Sequence, residues 1–343
     1  MRPHSLLAVL AVLAVVALST ASARADAVAD FYKGKTIRII IGAGIGGSYG
    51  VYGTLVSRHL GRFIPGAPTL IVQSMPAANG LVALNYLGGQ APRDGTVISV
   101  IHVTLVQAGL FNPKATYDTA RFQWIGRFSS LAFVGFTSQK SGIRTVQDAM
   151  KREVAAGVPG LNSVPGQMPL VLNKIAGTRF KTISGYTGTG QTFIALERGE
   201  VEFAATSMDT VRALHWDKVK SGQLVPLFAQ AGSRLKAFPD TPVLLEFGRD
   251  DMEKAFLGVF SIAAEIGRSL ATTPDVPGER LAALRAAFDK MLADPQFQAE
   301  VAKLRLEFDP VSGAELHRLV AASLTMSPPT LEKARAFHDD LFK

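Results

Sequence analysis

Apolar and polar positions alternate along the chain in blocks that predict strands and helices in turn. Lys35-Thr36-Ile37-Arg38-Ile39-Ile40-Ile41 is a β-branched run closing on glycine-rich sequence, the pattern of a buried strand. Ser48 to Leu60 follows with helical spacing, Val51, Leu55 and Val56 on one face and Gly61 ending it. Thr69-Leu70-Ile71-Val72-Gln73 predicts a second strand. Pro76-Ala77-Ala78-Asn79-Gly80 then turns into a helix carrying Leu81, Leu84, Asn85 and Leu87 on one side. After Asp94-Gly95, Thr96-Val97-Ile98-Ser99-Val100-Ile101 reads as a third strand. This β-α-β-α-β alternation implies a parallel, doubly wound sheet.

A second unit opens near Leu131. Phe133 to Phe136 is strand-like, Thr145 to Met150 begins a helix, and Ala155 to Val158 suits a strand. Pro169 to Ile175 predicts a helix stopped by Gly177. Phe180 to Ile183 predicts a strand, Gly188 to Arg198 a helix closed by Gly199, and Val201 to Ala205 an alternating strand. Val225 to Ala229 is expected to cross back towards the first unit. The end is helical, with Leu281, Leu284, Phe288, Met291 and Leu292 at a 3.6 period, then Phe297, Val301 and Leu304. The expectation is an α/β chain of two lobes. The first spans 26–130 plus about 231–343 with the C-terminal helices, and the second about 131–230.

Composition narrows the function classes. The 343 residues are 48% apolar and 19% charged, enough to fill one or two cores. Cysteine is absent, which excludes disulfides, thiolate metal sites and cysteine nucleophiles. The net charge is +8, but the basic residues form no block, helix-turn-helix or RNP-like set, so no nucleic-acid partner is expected. Residues 1–25 read as a signal peptide: Arg2 and His4, the apolar run Leu6 to Leu18, then Ala23-Arg24-Ala25 as an A-x-A cleavage site. That run falls short of the roughly 20 residues a membrane span needs, so cleavage near Ala25 is favoured over an uncleaved anchor. A periplasmic location follows as the expectation.

Three motifs overlap at the first glycine loop. Gly42-Ala43-Gly44-Ile45-Gly46-Gly47 fits G-x-G-x-x-G, yet no Asp or Glu lies between Asp30 and Asp94 to bond a ribose, so a dinucleotide is not expected. Gly46-Gly47-Ser48-Tyr49-Gly50 fits the G-x-S-x-G elbow of hydrolases, with Asp209 and then His317 or His338 as candidate partners. An elbow after the first strand leaves no earlier loop for an oxyanion hole. The histidines, His59, His102 and His215 among them, show no i, i+4 pairing, which also disfavours a metal site. The third reading needs no chemistry: Gly44 to Ser48 bring backbone N–H groups to a helix N-terminus, a ready anion site. Similar turns recur at Pro76 to Gly80, Ser163 to Gln167 and Tyr186 to Gln191, each after an expected strand. Four ordinary glycine-rich turns are the alternative.

These segments together resemble the tripartite tricarboxylate transporter substrate-binding receptors, the Bug family of periplasmic solute-binding proteins. The resemblance runs through Lys35 to Ile40 with Gly46-Gly47-Ser48, Pro76 to Gly80 with Ala83, and Pro92-Arg93-Asp94-Gly95-Thr96. It continues through Gly185 to Gly188, Ala195 to Val201, and Arg234 followed by Phe238 to Leu244, Glu246 and Gly248. The resemblance implies a two-lobed periplasmic-binding-protein fold, each lobe a mainly parallel sheet flanked by helices, with a ligand cleft between the lobes. It also implies a small organic carboxylate as ligand, a two-component inner-membrane transporter as partner, a monomeric chain, and no cofactor or catalytic residue. Carried over, the ligand loops are Gly46, Gly47, Ser48 and Tyr49 with Ala78, Asn79 and Gly80, faced by Ser163, Gln167, Tyr186, Gly188 and Thr189.

The chain departs from the family pattern at Gly50 and Thr54, where Asp and Arg are common, and at Gln73-Ser74, where Glu-Asn is. Losing the acid should weaken a ligand carrying an ammonium group, and Tyr49, Tyr52 and Tyr186 are candidates to cover an apolar carboxylate. Two other functions stay open: an exported serine hydrolase using Ser48, and a ligand-loaded adaptor for a signalling receptor.

Overall fold

The computed structural model describes residues 27–324 and 326–341. The expected signal peptide and its cleavage site lie outside the described residues. Among the described residues there are eleven strands: β1 (Thr36–Ile41), β2 (Thr69–Ser74), β3 (Val97–Ile101), β4 (Gln123–Ser129), β5 (Phe133–Ser138), β6 (Val154–Gly157), β7 (Phe180–Ile183), β8 (Phe203–Ser207), β9 (Leu224–Gln230), β10 (Arg268–Thr272) and β11 (Val311–Ser312). The longer helices are α1 (Ser48–His59), α2 (Val103–Phe111), α3 (Val164–Ala176), α4 (Thr189–Arg198), α5 (Asp251–Ile266), α6 (Gly278–Ala293), α7 (Pro295–Lys303), α8 (Gly313–Leu324) and α9 (Pro328–Leu341).

The strands form two sheets, β11-β4-β10-β3-β1-β2 and β7-β6-β8-β5-β9. In the first, β1 runs parallel to both β2 and β3, with Ile41 level with Ser74 and Val100. In the second, β6 is parallel to β7 and β8, while β5 is antiparallel to β8 and β9. β9 therefore stays in the second sheet and does not cross back as its sequence suggested. The described residues divide into two compact units, those within 1–100, 121–126 and 270–304 in one, and those within 101–120, 127–269 and 305–343 in the other.

In the first unit Ile37, Ile39, Ile40 and Ile41 are fully buried, as are Leu55 and Val56 of α1, and Gly53 of that helix lies against Ile39 and Ile41. Arg38 interrupts that run half-buried, its guanidinium donating to the Tyr86 hydroxyl at 2.5 Å and to Gln73 Oε1 at 3.5 Å. In the second unit the rings of Phe203 and Phe228 stack at 5.4 Å. Gly135 makes room for them, since a Cβ there would stand 2.5 Å from Phe203. α3 starts at Val164, earlier than the sequence suggested: Ser163 caps it, Pro165 sits in the first turn, and Pro169 is carried inside.

Candidate functional site

Because β1, β2 and β3 run parallel, the loops that follow β1 and β2 leave the same end of the sheet, where open α/β sheets bind ligands. The roots of these loops are fastened together. Ser74 Oγ donates to the Ala43 carbonyl at 2.8 Å, and Met75 N–H donates to the Ile41 carbonyl at 2.8 Å. Gly42 and Gly80 meet backbone to backbone: a Cβ on Gly80 would lie 2.4 Å from the Gly42 oxygen, and Gly80 has φ +86°. Ala78, at φ 52°, also takes the left-handed conformation. Gly46, Gly47, Ser48 and Ala78 are exposed, whereas Gly80 is buried. The Asn79 side chain lies outside the described residues.

α1 begins at Ser48 with Gly47 as its cap residue, so no side chain caps it, and its first turn holds no acid. Its N-terminus thus presents a positive dipole end to solvent. Tyr49 is 8% exposed and Tyr52 2% exposed.

In the second unit the ends of β6, β7 and β8 share one sheet edge by the same parallel pairing. The Ser163 hydroxyl is fully used within the chain, accepting from Gly166 N–H at 3.2 Å and donating to the Gly160 carbonyl at 2.6 Å. Gln167 is buried in the first turns of α3, and its Oε1 has no hydrogen-bond partner. Tyr186 is half-buried against the apolar core and passes beside Gly157. α4 starts after Gly188 with no side-chain cap and no acid in its first turn. Thr206 Oγ1 donates to Thr189 Oγ1 at 3.0 Å, tying the end of β8 to that helix, and the Gln191 side chain accepts from Thr187 N–H at 2.9 Å. Thr206 and Gln191 support this loop without having been singled out in the sequence. A polar residue ending a buried strand was the available signal for Thr206.

Asp209, the acid the hydrolase reading needs, is paired with Arg268 at 3.0 Å. His338 stacks on Phe111 at 4.9 Å. Glu307 lies beside Asp209: burial first, then the Asp209 carboxyl, pushes the Glu307 acid up to about 8. Arg212 bonds Glu307 at 2.6 Å, and a cavity of about 300 Å³ opens there, lined by Ser130, Met208, Arg212, Lys236, Glu307 and Asp309. Nothing in this cluster offers a histidine to a serine.

Among the described residues no helix is long and apolar enough to cross a membrane. Comparison with known proteins gives a consistent result. Residues 63–335 match the model of the tripartite tricarboxylate transporter family receptors. A UPF0065 protein of Bordetella bronchiseptica is 27% identical over 285 residues, covering 82% of this chain and 78% of that protein. Among solved structures, a ligand-free TctC solute-binding protein from Polaromonas has a TM-score of 0.67 at 18% identity, covering 91% of this chain and 99% of the other. MatC from Rhodopseudomonas palustris, solved with bound malate, has a TM-score of 0.55 at 16% identity, covering 90% and 99%. The fold is that of the two-lobed periplasmic binding proteins.

Proposed function

This chain belongs to the tripartite tricarboxylate transporter receptor family, and on that premise we propose that it captures a small organic carboxylate and delivers it unaltered to a two-component inner-membrane transporter. Members of the family are solute-binding receptors of the periplasm. Export with cleavage near Ala25, and lobes divided near residues 130 and 231, belong to the same proposal.

The observation that carries the ligand class is the pair of helix N-termini without side-chain cap or acid, at α1 and α4. Each offers main-chain donors and a dipole end to a carboxylate, worth about 0.3–1 kcal/mol when exposed and up to about 2 kcal/mol when partly buried. The malate held by the MatC neighbour supports the same class. In this reading the ligand-binding residues are Gly46, Gly47, Ser48, Tyr49, Ala78, Asn79 and Gly80, together with Gln167, Tyr186, Gly188 and Thr189. Ser163 contributes by holding the first turn of α3. No residue acts as nucleophile or base.

A thermal-shift screen of mono-, di- and aromatic carboxylates tests the proposal. A ligand present at 100 times its Kd should stabilise the protein by about 2.7 kcal/mol. A panel without any stabilising carboxylate would defeat it.

A further inference from the structure

His215 lies in the second unit with its ring buried: the residue is 8% exposed, and neither ring nitrogen has a hydrogen-bond partner among the described residues. A neutral imidazole still carries one N–H and one lone pair, so both are shut away from water unsatisfied. Packing alone seats the ring. It stacks on Phe193 of α4, centroids 4.3 Å apart and planes 22° from parallel. Phe193 in turn belongs to an apolar core with Phe136, Val211 and Phe238, against which Trp216 packs.

The backbone is unusual at the same point. His215 ends a π-helical turn, Val211–His215, that runs directly into the helical turn Trp216–Lys220. Such turns are rare and gather at functional positions. Solvent is one residue away, since Leu214 is 68% exposed.

The elements packed around the ring offer a proton no welcome. β5, β8 and β9 carry no charged residue. Lys236 lies on the segment that leads to Phe238. Elsewhere the charges are already matched: Glu197 with Lys218, Arg198 with Glu200, Asp209 with Arg268, Arg212 with Glu307 and Asp217 with Lys220. A protonated imidazole has no spare carboxylate to hold it in place.

We propose that His215 is a proton-operated pin for α4: neutral, it seats against Phe193; protonated, it leaves the core, and α4 opens together with residues 211–220. Burial holds the imidazole below its ordinary 6.5, and the Lys218 ammonium pushes the same way against Glu197. The open form takes up the proton more readily, so opening is favoured as pH falls below 6.5. α4 starts at Thr189, directly after Gly188, so the pin also governs whether that expected ligand loop is formed. That consequence alone rests on the receptor reading above.

Hydrogen exchange of the ligand-free protein tests this, read by mass spectrometry over residues 189–198 and 211–220 and corrected for the intrinsic pH dependence of exchange. Protection there should fall about tenfold or more between about pH 7.5 and about pH 5, with about thirtyfold as the ceiling for an ordinary imidazole in the open form. His215→Phe keeps a stacking ring without the proton, and its protection should be equal at both pH values. Exchange that rises equally in His215→Phe, or no rise in the unaltered protein, overturns the inference. Should His215→Phe fail to fold, NMR titration of the His215 ring in the unaltered protein decides. A ring titrating below 6.5, in step with the loss of protection, supports the pin; one titrating at or above 6.5, or out of step, overturns it.

Discussion

Gly42 and Gly80 touch backbone to backbone, so close that a Cβ on Gly42 would stand 3.0 Å from the Gly80 Cα. Gly42 follows the first strand and Gly80 closes the turn after the second, so this contact fixes one expected ligand loop against the other. Neither glycine is replaceable at low cost.

Gly80→Ala should destabilise the protein by about 2 kcal/mol or more, through both the overlap with the Gly42 carbonyl and the left-handed φ of +86°. Urea unfolding measures this. A change below about 0.5 kcal/mol would show that the two loops are not held as described.

Gly188 behaves oppositely. A Cβ there meets nothing within 4 Å, and its φ of 178° is extended backbone open to any residue. Gly188→Thr keeps a residue suited to the helix cap, so stability should change by no more than about 0.5 kcal/mol. Carboxylate affinity should fall at least about tenfold if the ligand approaches the main chain there, a loss of about 1.4 kcal/mol. Calorimetry on the folded variant separates the two effects.

Ser48 is exposed and does not cap its helix, since Gly47 holds that position. Ser48→Ala should therefore leave the fold intact and weaken binding by about 1 kcal/mol, the worth of one hydrogen bond. A serine-reactive phosphonate should not label the protein. Labelling at Ser48 would restore the hydrolase reading.

The Asp209–Glu307 pair gives a pH dependence with a definite sign. Burial and the neighbouring carboxyl raise the Glu307 acid from its ordinary 4.5 to about 8, so the folded protein holds a proton that the unfolded chain releases. This contribution is full below pH 4.5 and is lost as pH rises from there towards 8. Glu307→Gln, neutral at every pH, should flatten that slope, and its stability relative to the unaltered protein should improve by about 1–2 kcal/mol between pH 5 and pH 8. Urea unfolding at both values checks this. An unchanged slope would mean that Glu307 ionises normally.

Much of this architecture is legible in the chain. The β-branched blocks at 36–41, 69–74, 97–101 and 180–183 became strands because each is closed by turn-forming sequence; 97–101 buries both faces, whereas 69–74 and 180–183 lie at sheet edges and keep Ile71 and Ile183 exposed. β4 and β10 were not visible from pattern. Arg127 and Arg268 sit in them as buried cations, paired with Glu265 and Asp209 from distant segments, and a pairing partner far along the chain leaves no local signal. α5 was missed as well, although Phe256, Leu257, Val259, Phe260 and Ile262 along it are buried. At the expected ligand loops the glycine positions were plain, but their separate reasons were not. Gly50 and Gly166 are demanded by a close approach, whereas Gly188 has open space, and only coordinates distinguish these cases.

The central claim is reversible capture without chemistry. Its most direct test is calorimetric titration of the purified protein with short dicarboxylates, followed by NMR of the recovered ligand. The account predicts saturable binding of one carboxylate per chain, with the ligand spectrum unchanged after prolonged incubation. No binding across the panel, or a carboxylate recovered as product, would contradict it.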